Sequence, residues 1–313
     1  MARRKNTIVP LSGWGRRRRG DGSVPPAPSW MRRAGDRFVR FAEDLLGEDL
    51  DAKIARIRVH PNEVGHDPFG FDPEASRYAL AMAAMLHRRY FRSIVHDIER
   101  VPSSGRVLVV ANHSGQVPID GMMIGTAMLM DADPPRFPRS MVERWTAELP
   151  FVSVLFPRLG QVVGTPENAR RLLQQGESLI VFPEGTRGIS KTFDRRYQLV
   201  DFGLGFMRLA LETRTPIVPV AVVGAEEQYI NVADLKGLAR VLGMPSFPIV
   251  PQFMLGLLAP LPVRYRIYFG EPLFFEGDPD DDDAVVEEKV WVVKATIQSM
   301  IKRGLDERDG LFK

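Results

Sequence analysis

The sequence predicts an α/β fold: a single layered domain with a mixed, mostly parallel sheet flanked by helices, plus a disordered basic N-terminal tail. Short runs of β-branched and apolar residues at 106–111, 178–182 and 217–223 are typical of fully buried strands. Helix-like segments separate these runs, and strands that alternate with helices indicate a layered α/β architecture. With 313 residues, the chain is long enough to bury a sizeable core.

Residues 1–36 form the predicted tail. Gly and Pro are frequent there without any period, and the basic residues are Arg3, Arg4, Lys5, Arg16 to Arg19, Arg32 and Arg33. Such clusters attract anionic lipid headgroups or nucleic acid. Since no nucleic-acid-binding motif accompanies the charge, we expect no nucleic-acid partner. A tail that only aids solubility is an equal alternative to one that contacts an anionic membrane.

Residues 37–91 are predicted to hold helices that pack on the rest of the protein or on a membrane. In residues 37–58, apolar side chains recur at roughly helical spacing: Phe38, Phe41, Leu45, Leu46 and Ile54. Such a stripe packs on the protein's own core more often than it lies on a bilayer. A loop rich in Pro and Gly leads to a second helix over 74–91, and 92–98 is predicted to be extended.

The middle of the chain is predicted to alternate strands and helices. After the strand at 106–111, Pro118 is well placed to open a helix because a first turn does not use its missing N–H. The next predicted elements are an extended segment at 139–142, a helix at 144–156, a short strand within 160–165, a helix at 166–175, the strand at 178–182, a helix at 199–213 and the strand at 215–223.

The last part of the chain begins with an apolar, Pro-rich segment at 244–262, which is too broken by proline to span a bilayer. We expect either a buried loop or a loop that dips into a membrane. A strand at 264–269 follows. Residues 276–313 are predicted to form a C-terminal helix capped by the run 280–283 and ended by Gly304, with one apolar stripe: Val286, Val290, Val293, Ile297 and Ile301.

Composition excludes several classes of site. The chain has no cysteine, so disulfides and thiolate zinc sites are excluded. No paired histidines or carboxylates occur at helical or hairpin spacing, so we expect no metal. There is no uninterrupted run of about 18 apolar residues and no convincing signal peptide. Hydrophobic residues make up 44% and charged residues 26%, as in an ordinary soluble globular protein.

Polar residues follow two of the predicted strands at the point where each strand ends. His113 and Asp120 come after the first strand, and Glu184 and Arg187 after the second. Ligands of open α/β sheets bind beyond the carboxyl ends of the strands, so we expect these four residues to face one crevice. A neutral imidazole beside a carboxylate can take a proton from an alcohol near pH 7.

Taken together, Asn112-His113…Asp120 and Phe182-Pro-Glu-Gly-Thr-Arg187 resemble the phospholipid/glycerol acyltransferase superfamily, which includes the 1-acylglycerol-phosphate acyltransferases. The stretch Thr215-Pro-Ile-Val-Pro-Val-Ala221 looks like the last block of that family. The resemblance covers about residues 90–275. It therefore assigns residues 92–275 to an acyltransferase domain.

The resemblance implies transfer of a fatty acyl group from a thioester donor to the hydroxyl of a glycerolipid or related lipid alcohol, as in phospholipid biosynthesis. His113 would be the general base, held by Asp120, and Glu184, Gly185, Thr186 and Arg187 would bind substrate. Loop N–H groups near Gly115 or Gly185 would receive the oxyanion. The co-substrate would be acyl-CoA or acyl carrier protein, with no further cofactor. We expect a cytoplasmic protein attached peripherally to the inner face of the membrane.

Two departures from the family keep alternatives open. Six residues separate His113 from Asp120 where the family usually has four, which favours a catalytically silent lipid-binding or scaffold protein. The stretch 160–165 lacks the arginine that often holds an acceptor phosphate, which makes a neutral acceptor a competitor. A hydrolase with Ser114 as nucleophile is weaker, since no Gly-x-Ser-x-Gly elbow is present. A Glu184–Arg187 ion pair that only braces the loop is a further interpretation.

Overall fold

The centre of the fold is a sheet of seven strands. The structure, a computed structural model, describes residues 29–62, 67–114, 117, 119–143, 152–241 and 247–310. The strands in these residues are β1 (Ile94–His96), β2 (Val107–Ala111), β3 (Arg139–Val142), β4 (Gln161–Val163), β5 (Ser178–Val181), β6 (Ile217–Val223), β7 (Ala233–Asp234), β8 (Pro248–Ile249) and β9 (Arg266–Phe269). The large sheet has the order β1-β9-β6-β2-β5-β3-β4, and β7 pairs with β8 separately.

The sheet is mixed and mostly parallel, so the predicted fold class is confirmed. Strand β2 lies at its centre and pairs in parallel with β5 on one side and β6 on the other. The pairs β3–β4, β3–β5 and β1–β9 are also parallel, and β6–β9 is antiparallel. Because β2 has neighbours on both sides and helices on both faces, it is apolar throughout, as expected of a central strand.

Side chains of β2 alternate between two hydrophobic cores. Leu108 and Val110 point into one core, which also holds the inward stripes of the helices at 166–174, 205–213 and 283–306. Val107, Val109 and Ala111 point into the other, which holds Met123, Ile124, Ala127 and Met128. The period of two in a strand thus distributes one apolar run over both faces of the sheet.

The helices cover both faces of the sheet. They are α1 (Ser29–Leu46), α2 (Leu50–Ala55), α3 (Pro73–Met85), α4 (Ile119–Met130), α5 (Val152–Arg158), α6 (Pro166–Gln174), α7 (Thr186–Ile189), α8 (Gly205–Thr213), α9 (Lys236–Val241), α10 (Pro251–Met254) and α11 (Asp283–Asp306). A π-helical turn at 86–90 continues α3. None of the described helices is both long enough and apolar enough to cross a bilayer.

Two predicted helices have different bounds in the structure. The predicted helix at 199–213 begins only at Gly205, because the backbone before it is used elsewhere: Val200 N–H donates to the Glu184 carboxylate and Gly203 N–H to Pro183 O. The helix predicted at 144–156 is α5, Val152–Arg158, and residues 144–151 lie outside the described part. Pro118, predicted to open α4, also lies outside it.

Helix α1 buries some of its apolar side chains and exposes others. Val39 and Ala42 are buried where α1 packs on α3, and Gly35 lets the ring of Tyr78 approach so closely that a Cβ at position 35 would clash with it. Other apolar side chains of α1 are exposed, namely Trp30, Met31, Phe41 and Leu45. The predicted stripe therefore packs on the core only in part.

Helix α11 carries the predicted apolar stripe into the core and begins within the predicted capping run 280–283, but Gly304 does not end it. Asp282 occupies the N-cap position without a side-chain hydrogen bond to the helix. Gly304 lies inside the helix, where a Cβ would come within 2.7 Å of the Tyr268 ring. This glycine is therefore needed for close helix–sheet contact. The prediction of a disordered tail is wrong for residues 29–36, which form the start of α1. The division of the chain at residues 36, 91 and 275 otherwise stays a prediction.

One buried ion pair joins the chain ahead of α3 to the sheet. Both terminal nitrogens of Arg139 donate to the Asp67 carboxylate, at 2.9 and 3.0 Å, and both side chains are almost fully buried. Burial alone would raise the pKa of Asp67, but the Arg139 guanidinium outweighs it and lowers this pKa below its usual range.

We therefore expect Arg139→Met to lower the free energy of unfolding by about 3–5 kcal/mol, since it leaves a buried carboxylate without its cation. Urea unfolding measures the change. The control is Arg170→Met, which removes an ion pair with Glu212 on the protein surface and should have a small effect. Equal losses in the two variants would contradict this account of the buried pair.

Candidate active site

The parallel pairing of β2 with β5 brings the two polar stretches to one edge of the sheet. Val110 of β2 lies opposite Val181 of β5, so the residues that follow the two strands emerge side by side. Asn112 then binds β6 with both ends of its amide: it donates to Val222 O at 3.1 Å and accepts from Val222 N–H at 2.8 Å. The start of the loop that carries His113 is thereby tied to β6.

His113 and Asp120 are in direct contact across the longer loop. His113 Nδ1 lies 2.8 Å from Asp120 Oδ2, and the same oxygen accepts from Ser114 N–H at 2.8 Å. Asp120 Oδ1 accepts from Gly121 N–H, and the carboxylate has no exposed surface. It lies in the first turn of α4, where backbone N–H groups have no partner within the helix. The spacing of seven positions therefore still forms a His–Asp pair.

The pair sets the tautomer and orientation of the imidazole. An ionised carboxylate only accepts hydrogen bonds, so the His113 proton is assigned to Nδ1 and Nε2 carries the lone pair. Within the described residues, no protein group forms a hydrogen bond with Nε2, and the His113 side chain is 12% exposed. The ring stacks on Phe182 with centroids 4.1 Å apart. Gly121 makes room for Phe182, since a Cβ there would lie 3.3 Å from its ring.

Glu184 holds the backbone of the histidine loop. Its Oε1 accepts from His113 N–H at 2.9 Å, and its Oε2 accepts from Val200 N–H at 3.0 Å. The residue is 1% exposed, so the geometry favours a positioning role over contact with a substrate. The predicted bracing ion pair with Arg187 is wrong: among the described side chains, the cation beside Glu184 is Lys191, at 3.5 Å.

Two glycines of the second motif are required by geometry. Gly185 has φ 57° and ψ −149°, a conformation that is essentially restricted to glycine. Its N–H donates to Phe182 O at 3.0 Å, so the geometry does not favour the oxyanion role predicted for it. Gly115, the other predicted oxyanion donor, lies outside the described residues. At Gly188, a Cβ would lie 2.9 Å from the Cβ atoms of both His113 and Glu184.

Arg187 lies on the exposed side of the same turn. One of its terminal nitrogens donates to Asp201 O at 3.0 Å, and the side chain is exposed to solvent. A guanidinium held by a backbone carbonyl keeps other N–H groups for an anion. Thr186 is half-buried beside it at the start of α7. Substrate contact by Thr186 and Arg187 stays a prediction.

The structure adds two charged residues that sequence reasoning missed. Lys191 Nζ lies 3.0 Å from Glu226 Oε1, and Glu226 Oε2 accepts from Tyr197 N–H. Burial raises the pKa of Glu226 to about 7, and the Lys191 ammonium opposes that rise. A signal was present, because Glu226 follows β6 just as His113 follows β2, at the same edge of the sheet.

Other candidates are removed from the site by burial. Ser114 is fully buried, and its hydroxyl has no hydrogen-bond partner in the described structure, which disfavours a nucleophilic role. Met123, Met128 and Met130 are buried in the hydrophobic cores and do not line the site. Among the described residues, no three His, Asp or Glu side chains are grouped as metal ligands would be.

The chain is similar to proteins of one family. A family model described as Acyltransferase matches residues 92–223. An uncharacterised protein of Mycobacterium leprae is 39% identical over 254 residues, which are 79% of this chain and 69% of that protein. A probable 1-acyl-sn-glycerol-3-phosphate acyltransferase of Mycoplasma pneumoniae is 28% identical over 168 residues, 50% of this chain and 60% of that protein.

Among solved structures, the chain is similar to the crystal structure of the 1-acyl-sn-glycerophosphate acyltransferase PlsC from Thermotoga maritima. The superposition has a TM-score of 0.48 at 18% identity and covers 90% of this chain and 98% of that chain. The family model matches the segment from β1 to the end of β6, which holds His113, Asp120 and the Pro-Glu-Gly-Thr-Arg turn. The chain belongs to the Acyltransferase family.

Proposed function

We propose that this acyltransferase moves a fatty acyl group from a thioester donor to the hydroxyl of a glycerolipid or related lipid alcohol, with His113 as general base. The observation that carries the proposal is the 2.8 Å contact between His113 Nδ1 and Asp120, which leaves the other ring nitrogen for an alcohol. The Phe182 ring and the Glu184 carboxylate hold the imidazole and its backbone in this orientation.

The reaction balances with these groups. The acceptor hydroxyl oxygen attacks the thioester carbonyl carbon while its proton passes to His113 Nε2, and Asp120 stabilises the imidazolium that forms. The tetrahedral intermediate then expels sulfur, the C–S bond breaks, and the imidazolium returns the proton to the thiolate. The products are an ester and the free thiol of coenzyme A or acyl carrier protein.

We assign Arg187 the role of contacting an anion, either the acceptor's phosphate or the phosphates of the donor. The exposed guanidinium and the Mycoplasma pneumoniae relative's name support a phosphorylated acceptor. The lack of an arginine in residues 160–165 supports a neutral one. Both acceptor classes carry the attacking hydroxyl, so the chemistry at His113 is the same for either.

We further propose peripheral attachment to the inner face of the membrane. The substrates of such a reaction include a lipid, and the basic residues of the predicted tail complement anionic headgroups. Residues 1–28 of that tail lie outside the described residues. The silent-scaffold alternative drew on the spacing of His113 and Asp120, and the close contact of the two side chains removes that argument.

Replacing His113 with Ala should lower kcat about a hundred- to ten-thousandfold, the usual contribution of a general base. Asp120→Asn should also lower kcat, because an amide no longer fixes the Nδ1–H tautomer. The measurement is release of free thiol from an acyl-CoA or acyl carrier protein donor, together with mass spectrometry of the lipids formed from a mixed set of acceptors.

His60→Ala is the matched control for that experiment, since His60 is an exposed histidine outside the site. It should leave kcat unchanged, and circular dichroism should show that all three variants remain folded. Acyl transfer by the His113→Ala variant at the unaltered rate would exclude the general-base role. No product from the unaltered protein with any acceptor would favour the scaffold.

Replacing Arg187 with Ala should raise KM about ten- to a hundredfold for whichever substrate presents the anion, because a hydrogen bond to a charged group contributes about 1.5–3 kcal/mol. Lysophosphatidate and monoacylglycerol are compared as acceptors at a fixed donor concentration, and the donor is then varied. Arg195→Ala, which removes an exposed arginine eight positions along, is the control. An unchanged KM for every substrate would contradict the assignment.

A further inference from the structure

The segment between β6 and β9 presents an exposed apolar ledge, which we define as residues 253–258. Its side chains are far more exposed than apolar residues of a folded domain usually are: Met254 81%, Leu255 76%, Leu258 74% and Leu257 55%. No charged residue occurs between Arg240 and Arg264. A contiguous exposed patch of this kind marks an interaction surface.

The ledge is held in place by the fold. Leu257 N–H donates to Gln252 O at 2.8 Å, and the Tyr229 hydroxyl donates to Leu258 O at 2.9 Å. The Tyr229 ring also packs on Phe253, with centroids 5.2 Å apart. Both ends of the turn are thus fixed while its aliphatic side chains point outward. The apolar side chains of the ledge are therefore exposed by a turn whose backbone is held by hydrogen bonds.

The ledge lies close to the candidate active site. Gln228 O accepts from the Gln252 amide at 3.1 Å and from Leu261 N–H at 2.9 Å, one contact on each side of the ledge. The Gln228 side chain reaches Val117 O at 3.3 Å. Val117 lies in the loop between His113 and Asp120, so one residue connects the ledge to the site.

Cationic and further apolar groups flank the base of the ledge. Tyr90 donates to Pro260 O and Arg92 to Pro262 O, so the segment after α3 runs along this base. On the same segment, Arg89 is exposed and donates to Leu45 O at the end of α1. The C-terminal end of α1, where Leu45 is exposed, therefore adjoins the same segment.

We infer that the ledge inserts into the headgroup region of an anionic bilayer and seats the site against it. The long aliphatic side chains of the ledge match the apolar contribution to interfacial binding, and Arg89 and Arg92 beside it match the electrostatic contribution. This inference rests on the proposed function for its purpose, since a lipid substrate then reaches His113 from the membrane side. Binding to a bilayer can be measured without any reaction.

The chain has no cysteine, so Leu257→Cys provides a single position for an environment-sensitive fluorophore. On addition of vesicles of phosphatidylglycerol and phosphatidylcholine, we expect the emission of this label to shift to the blue. Trp291→Cys is the control. Position 291 is 68% exposed on α11, and its label should not respond. An unchanged spectrum at position 257, or equal shifts at both positions, would overturn the inference.

A loss-of-binding experiment complements the label. Leu255→Ser combined with Leu258→Ser should reduce sedimentation with the same vesicles at least tenfold, and Val292→Ser on α11 should not. Thermal unfolding of each variant shows whether it is folded. Undiminished sedimentation of the folded ledge variant would overturn the inference, as would a dimer of the unaltered protein that the ledge variant dissociates.

The two proposals fail in different ways. His113→Ala should bind vesicles as the unaltered protein does, because His113 is not part of the ledge. If His113→Ala keeps full acyl transfer while the ledge variant loses binding, the general-base assignment falls and the membrane face stands. If His113→Ala loses transfer while the ledge variant still sediments with vesicles, the reverse holds.

Discussion

The site depends on parallel pairing at the middle of the sheet. Strand β2 is paired in parallel with β5 on one side and β6 on the other, so the three loops that follow these strands leave the same edge of the sheet side by side. Each loop contributes one polar side chain to the site: His113, Glu184 or Glu226. Since each strand contributes only four to seven residues, small changes in register would separate these groups.

Burying several carboxylates in one place requires compensation for each. Asp120 accepts from two backbone N–H groups and the imidazole, and Glu184 accepts from two backbone N–H groups and Lys191. Glu226 shares the Lys191 ammonium, and its raised pKa reflects how little solvent it meets. These fixed donors hold the loops in the arrangement that the proposed chemistry uses, a form of preorganisation.

Much of this arrangement could be predicted from local sequence. Runs of apolar residues indicate the buried strands, and the change from apolar to polar residues before His113 and Glu184 marks where each strand ends. The sequence predicts the pairing of His113 with Asp120 in spite of their unusual spacing, and the two side chains are in contact in the structure. The roles of these residues in catalysis, and those of Gly185, Thr186 and Arg187 in binding, stay predictions.

The features that local sequence does not predict have a common physical cause, since each depends on a partner that is distant in the chain. Residues 199–204 have helical composition, yet Glu184 takes one of their N–H groups and prevents an earlier start of α8. Gly304 looks like a helix end, but its position is set by the Tyr268 ring. Arg139 and Asp67 are 72 positions apart, and no local pattern connects them.

The stacking of Phe182 on His113 fixes the orientation of the imidazole, and this has a consequence for any proton that the ring would carry. With one nitrogen bound to Asp120 and one face covered by the Phe182 ring, the imidazole is held in one orientation. In the proposed reaction, a proton taken from an alcohol at Nε2 would therefore have to leave from the same nitrogen. The incoming alcohol oxygen and the outgoing sulfur of that reaction would then have to approach this nitrogen one after the other.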